Sequence, residues 1–346
     1  MKTKRKIRVL IVEDSTFFAN VLKMNLEKDE GIDVVGVASD AYVARDLIIE
    51  HRPDVMTLDV EMPKMTGIEF LKKLMPQYPL PIVMVSAVNG SVFDALNAGA
   101  VDFVHKPNEE RSIESFIKEL IVKIKIASTV NVSHHKNLEK VSVDGDGVTY
   151  DSKYRLIAMG ASTGGTVALA EVLKSLNQNV PGIVIVQHMP PIFSKLFAER
   201  MNTESRLEVK EAEDGDIITK GKAFIAPGNV HIRVKKVGPR YIIKTEKGTE
   251  DNKVNGHCPS VDVLFDSVAK HVRSNAIGVI LTGMGKDGAR GLANMKSNGA
   301  ITIGQDKGSS VVYGMPKVAY ELGAVDYQEP LSNIARKVVD ILEKKK

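Results

Sequence analysis

The chain is short of several things, and each shortage closes off a class of function. It holds a single cysteine, Cys258, so it has no internal disulfide and no cysteine-based zinc cluster. A lone cysteine is usually a small buried hydrophobe, and Cys258 is expected to be one rather than a catalytic thiol. No apolar run approaches the roughly 18 residues needed to span a bilayer. The basic start MKTKRK leads into an apolar stretch, Ile7 to Val12, that is too short for a signal peptide, so a cytoplasmic protein is expected. Repeats, low-complexity tracts and a helix-turn-helix pattern are also missing. The net charge is only +4, too small and too scattered to suggest nucleic acid as a partner.

Hydrophobic residues make up 43% and charged residues 26%, the balance of a globular protein, and 346 residues suit two domains. The charge divides unevenly. Residues 1–125 carry 17 Lys and Arg against 19 Asp and Glu, a net of −2, which leaves +6 for the remainder. A mildly basic second half suits an acidic partner.

From Ile7 to about Lys125, apolar runs (IRVLIV, IDVVGVA, DVMTLDV, PIVMVSA, VDFVHKP) alternate with stretches of helical spacing. Five strand–helix units predict a parallel sheet covered on both faces. Residues 127–152 are polar and lack a sustained period, as in an interdomain linker; His134 and His135 sit there as a solvated pair rather than a metal site. Strand-like runs resume at RLIAMG and continue through GIVIVQH, KAFIAPG, AIGVILTG and AITIGQD. HIRVKKVGPRYIIK reads as a hairpin around Gly-Pro. The second domain is therefore expected to be α/β, doubly wound and mostly parallel, with an antiparallel hairpin. The expected domains are 1–126 and 153–346, joined by 127–152.

In open parallel sheets, functional groups collect at the carboxyl ends of strands. In the first domain those ends carry Glu13, Asp14, Asp59, Ser86 and Lys106. Carboxylates converging this way call for a divalent cation, and oxygen ligands suit Mg²⁺. Asp59 is then a phosphoryl acceptor, with Lys106 and the metal offsetting charge and Ser86 hydrogen-bonding a phosphoryl oxygen. One acid alone would more simply cap the helix that follows it; five such residues on four strand ends argue for a site.

In the second domain, Ser162 follows RLIAM within GASTGG, His188 follows GIVIVQ, and Asp287 follows AIGVILTGMGK. All three lie at one edge of a parallel sheet, as an acyl-transfer triad requires. Gly160, Gly164 and Gly165 permit a tight strand-to-helix turn, and the helix N-terminus and the loop Thr282-Gly283-Met284-Gly285 offer N–H groups to an oxyanion. GASTGG alone could equally cradle a phosphate or dinucleotide, but the stretch where a ribose-binding acid is expected reads VPGIVIVQH. GMGKDG departs from a phosphate loop because Lys286 precedes an acid. His231 and His257 are rival bases that spacing leaves open.

VLIVEDS, TLDVEMPKMTG, VSA and HKP resemble the landmarks of response-regulator receiver domains. The resemblance implies a flavodoxin-like (βα)5 fold and phosphorylation of Asp59 by a chemotaxis histidine kinase. It implies Mg²⁺ held by Asp14, Asp59 and the backbone carbonyl of Glu61, with Glu13 direct or through water, and Ser86 and Phe103 as the switch pair. GASTGG, QHMPPIFSKLFAERM, FIAPGNVHI, HCPSVDVLF, LTGMGKDGARG and YGMPKVA resemble the protein-glutamate methylesterase domain of bacterial chemotaxis, the CheB family. That likeness implies a cofactor-free serine hydrolase acting on methyl-accepting chemotaxis receptors, near membranes only through them, with glutamine deamidation as a second activity. Ser162 is then the nucleophile, His188 the base and acid, and Asp287 its orienter. Gly164, Gly165 and Met284 fall at the oxyanion and pocket region, with His257 and Ser260 nearby. A receiver controlling a non-catalytic receptor adaptor or a DNA-binding output is the alternative. Phosphorylation is expected to loosen a receiver packed over the esterase edge.

Overall fold

The computed structural model describes residues 5–87, 91–109, 112–130, 150 and 153–343. His134, His135 and most of the expected linker lie outside the described residues. The chain divides into two compact units, residues 1–135 and 136–346.

The first unit runs β1 (Ile7–Val12), α1 (Thr16–Leu26), β2 (Ile32–Ala38), α2 (Ala41–His51), β3 (Val55–Asp59), α3 (Gly67–Leu74), β4 (Ile82–Ser86), α4 (Val92–Asn97), β5 (Asp102–His105) and α5 (Ile113–Ala127). All neighbouring strands are parallel, in the order β2-β1-β3-β4-β5. The apolar runs form the strands because β3 and β4 are buried on both faces. Helix starts are written in side chains. Ser15 caps α1 through Phe18 N–H, Asp40 caps α2 through Tyr42 and Val43 N–H, and Thr66 and Glu69 form a capping box on α3.

The second unit runs β6 (Leu156–Ala161), α6 (Gly165–Ser175), β7 (Gly182–Gln187), α7 (Pro191–Glu204), β8 (Glu208–Glu211), β9 (Lys222–Ile225), β10 (Val230–Val237), β11 (Arg240–Lys247), α8 (Val261–His271), β12 (Ala276–Ile280), α9 (Ala289–Ser297), β13 (Ile301–Gln305), α10 (Met315–Glu321), β14 (Tyr327–Glu329) and α11 (Leu331–Glu343). Seven parallel strands lie in the order β14-β13-β12-β6-β7-β9-β8. The hairpin is a separate two-stranded sheet, β10 with β11, turning at Gly238-Pro239 with Gly238 at φ 57°. It is pinned to α8 by Val234 N–H donating to Ser267 Oγ at 2.8 Å.

Each parallel sheet has a central point where strand order reverses, between β1 and β3 in one and between β6 and β12 in the other. Loops leave such a point in opposite directions and open a crevice at the strand carboxyl ends. Among the described residues, no helix is long and apolar enough to cross a membrane.

Candidate active site

The crevice between β6 and β12 assembles the residues expected from the sequence. Ser162 leaves β6 and His188 leaves β7, the neighbouring strand. Asp287 lies on the loop after β12. His188 Nδ1 is 3.2 Å from Ser162 Oγ, and its Nε2 is 2.9 Å from Asp287 Oδ2. An ionised carboxylate only accepts, so the ring proton sits on Nε2 and Nδ1 turns its lone pair to the serine hydroxyl. That is the tautomer a general base requires.

Asp287 is buried and heavily solvated by protein. Oδ1 accepts from Ser260 Oγ at 2.8 Å, Asn255 Nδ2 at 2.9 Å and Asp262 N–H at 3.2 Å, and Oδ2 also accepts from Val261 N–H at 2.7 Å. Val261 and Asp262 begin α8, so the carboxylate also meets the positive end of that helix. Burial pushes the Asp287 carboxyl up, but His188 and the hydrogen bonds from Asn255 and Val261 outweigh it and hold the group well below the usual carboxylate range.

The glycines have steric reasons. A Cβ on Gly160 would sit 2.2 Å from Val261 Cγ1, so β6 and the start of α8 approach closely only through glycine. One on Gly165 would sit 2.1 Å from Gln187 Oε1, and Gln187 Nε2 bridges the carbonyls of Ser162 at 2.9 Å and His188 at 3.1 Å. Gln187 thus ties the nucleophile turn to the histidine turn. Gly165 N–H is committed to Ser162 O at 2.7 Å and Gly283 N–H to Val312 O at 3.0 Å. Neither is free for an oxyanion, because the tight turns consume them. Gly164 N–H and the N–H of exposed Met284 make no hydrogen bond among the described residues.

The rival histidines resolve differently. His231 is buried, with Nδ1 accepting from Ser260 N–H at 3.2 Å and Nε2 donating to Asn252 O at 3.0 Å. Both nitrogens are engaged in holding the loop. His257 stacks on His188, ring centroids 3.9 Å apart and planes 12° apart. Ser260 caps α8 as well as holding Asp287. Cys258 is half-buried and burial pushes its thiol up, the behaviour of an unreactive cysteine. Sequence reasoning missed Gln187, Asn255 and Asp262. Asn255 lies at φ 54° before Gly256, and the Asn-Gly pair was a visible turn signal.

The first unit has its own crevice. Carboxylate oxygens of Glu13, Asp14 and Asp59 lie within 4.8 Å of one another, at the carboxyl ends of β1 and β3. Lys106 Nζ reaches Asp59 Oδ2 at 2.6 Å and Glu13 Oε2 at 2.8 Å, and lies 4.9 Å from the Phe18 ring centroid. Burial, the largest influence, raises the Glu13 carboxyl, as does Asp59, against the pull of Lys106. Three carboxylates against one ammonium are a hard-oxygen set that fits a divalent cation. Glu61 N–H donates to Asp59 Oδ1 at 3.2 Å. Ser86 ends β4 and Phe103 lies in β5, both buried; Phe103 pairs with Met84 in register, two residues from Ser86.

Gly67 explains part of the TLDVEMPKMTG run. A Cβ there would sit 1.9 Å from the Asp59 carbonyl oxygen, because the start of α3 closes directly over the end of β3. Gly67→Ala must shift one of two backbones. It is expected to cost about 1–3 kcal/mol or more and to slow acyl-phosphate formation on Asp59. Thermal melting and phosphate incorporation from a small phosphodonor check both; an unshifted melt with normal labelling would refute this account.

With the geometry established, comparison with known proteins places the chain. Residues 157–338 match the family described as CheB methylesterase, and residues 9–118 match the response regulator receiver domain. A protein-glutamate methylesterase/protein-glutamine glutaminase 2 of Syntrophomonas wolfei is 53% identical over 340 residues, 98% of each chain. A protein-glutamate methylesterase/protein-glutamine glutaminase of Sulfurimonas denitrificans is 51% identical, covering 98% of this chain and 99% of its own. The crystal structure of the Thermotoga maritima CheB methylesterase catalytic domain matches with a TM-score of 0.52 and 40% identity, over 54% of this chain and 98% of that one. The chain belongs to the CheB methylesterase family, in the form that carries a receiver domain ahead of the hydrolase.

Proposed function

We propose that this protein hydrolyses γ-methyl esters of glutamyl side chains on chemotaxis receptors and deamidates receptor glutamines, under control of phosphorylation at Asp59. The observation that carries the reading is the single imidazole, His188, bridging Ser162 Oγ at 3.2 Å and Asp287 at 2.9 Å. The names of its relatives supply the substrate class.

Ser162 Oγ attacks the side-chain carbonyl carbon while His188 Nδ1 takes the hydroxyl proton. The imidazolium formed is stabilised by Asp287, which remains ionised. The tetrahedral oxyanion is bound by backbone N–H groups, for which Gly164 and Met284 are the candidates; one such donor is typically worth about 10²–10³ in rate. His188 returns its proton to the leaving methanol, or to ammonia from glutamine. Water, deprotonated by His188, then cleaves the acyl-enzyme to a carboxylate, and Ser162 recovers its proton.

In the receiver, Asp59 accepts phosphate from a chemotaxis histidine kinase. Asp14, Asp59 and the Glu61 carbonyl, with Glu13 directly or through water, would hold Mg²⁺, which would neutralise charge on the transferring group. Lys106 contacts the phosphoryl oxygens, and Ser86 with Phe103 relays the change. The working division is a receiver at 1–126, a linker at 127–152 and a cytoplasmic esterase at 153–346.

The test is methanol release from methylated receptor membranes, with and without a phosphodonor. Asp59→Asn is expected to keep the unstimulated rate and lose all phosphodonor stimulation, because an amide cannot form the acyl phosphate. Stimulation that survives in Asp59→Asn would remove Asp59 from the scheme.

A further inference from the structure

His188 is fixed along its edges and held less tightly across its plane. Its two hydrogen bonds, to Ser162 and Asp287, lie in the plane of the ring. They set the tautomer and in-plane position, and with the Cβ–Cγ bond they leave only small tilts of the ring across its plane. Packing against a ring face restrains such tilts further, and His257 packs there nearly parallel, 3.9 Å between centroids. His257 is itself pinned. Its N–H donates to Val254 O at 2.9 Å and its carbonyl accepts from Val254 N–H at 3.1 Å, closing a tight turn. The same loop supplies Asn255 and Ser260 to Asp287.

Resting on the function proposed above, we infer that His257 is a positioning residue. It acts as an uncharged aromatic plate that holds the His188 imidazole flat between nucleophile and acid and keeps water off one face. The neutrality of the plate follows from its surroundings. Burial, then the neighbouring His188, pushes His257 down to about 4, with Asp287 pulling the other way. At neutral pH it therefore adds no positive charge beside a base that must itself become cationic. Two titratable groups that touch His188 are Asp287 along one edge and His257 on one face. Asp262 stands one residue removed, linked to Asp287 through Asn255 Nδ2 and lying 4.0 Å from Arg290.

Two full-length variants separate the face of the plate from its nitrogens. His257→Ala removes the face. It is expected to lower kcat for methanol release by about 10–100-fold, the scale of a catalytic group misplaced by about an ångström, with KM within about twofold. His257→Phe restores a flat ring with no titratable nitrogen, and should recover kcat to within about threefold with KM unchanged. Two results would overturn the inference: His257→Ala matching wild type in kcat, or His257→Phe as impaired as His257→Ala, which would assign the role to a ring nitrogen. The wild-type rate in the same assay reads the functional proposal separately, so the two cannot fail under one signature.

Discussion

Ser162→Ala is expected to lower kcat/KM for receptor demethylation by about 10⁴–10⁶-fold and to abolish glutamine deamidation in parallel. Both reactions begin with the same attack, so no substrate escapes the loss. The fold should not notice. The structural bonds of Ser162 run through its backbone, its N–H donating to Thr282 O at 3.0 Å and its carbonyl accepting from Gln187 Nε2 and Gly165 N–H. Only Oγ is removed, so stability should stay within about 0.5 kcal/mol and Asp59 should still label with phosphate. Methanol release, thermal melting and phosphate labelling on one preparation check all three. Demethylation persisting in this variant would remove Ser162 as the nucleophile.

Asp287→Asn should cost about 10⁴ in kcat, and unlike the serine variant it should also weaken the fold. Five donors point at this carboxylate: His188 Nε2, Ser260 Oγ, Asn255 Nδ2, and the N–H groups of Val261 and Asp262. An amide offers one accepting oxygen and turns an NH₂ toward at least one of those donors. Facing that NH₂, the imidazole moves its proton to Nδ1 and presents a donor, not a lone pair, to Ser162. The buried donors left unmatched should cost about 1–3 kcal/mol. The pH dependence carries the sign. The Asp287 carboxyl is held below its ordinary value in the folded protein, so its stabilisation is complete above the unfolded value of about 4 and fades as pH falls through the folded one. The asparagine variant should lack that acid-side decline, measured as melting temperature against pH. Equal melting curves at every pH would show that the five donors contribute nothing to the fold.

Much of this site was legible because parallel sheets place chemistry by a rule. Ser162 and His188 stand directly after apolar runs that could only be strands, and Asp287 ends the loop after another; Glu13, Asp14 and Asp59 follow the same pattern in the receiver. The choice among His188, His231 and His257 was not legible, because it depends on which face of which loop turns inward. His231 carries its two bonds to chain segments 21 and 29 residues away. Gly165 was expected near the oxyanion as a donor. Its sequence position could not reveal that its N–H closes its own turn, or that Gln187 occupies the space of a side chain. Strands β8 and β14 escaped notice because EVKE and YQE are short, polar edge segments, which solvent exposure frees from an apolar pattern. The hairpin was plain from its alternation and Gly-Pro turn, yet alternation does not say that it stands apart from the main sheet.

The pairing of β6 with β12 has a consequence for how activity arises during biosynthesis. Leu156 pairs with Ala276 and Gly160 with Ile280, so the middle of the sheet is joined by residues 120 apart in the chain. Pairings of such long range form slowly. A nascent polypeptide that has emerged only as far as α8 already possesses its alcohol and all three candidate imidazoles, yet the anchoring anion is still inside the ribosome. Esterolytic competence therefore switches on late and all at once, and regained turnover during refolding is a direct clock for closure of the sheet centre.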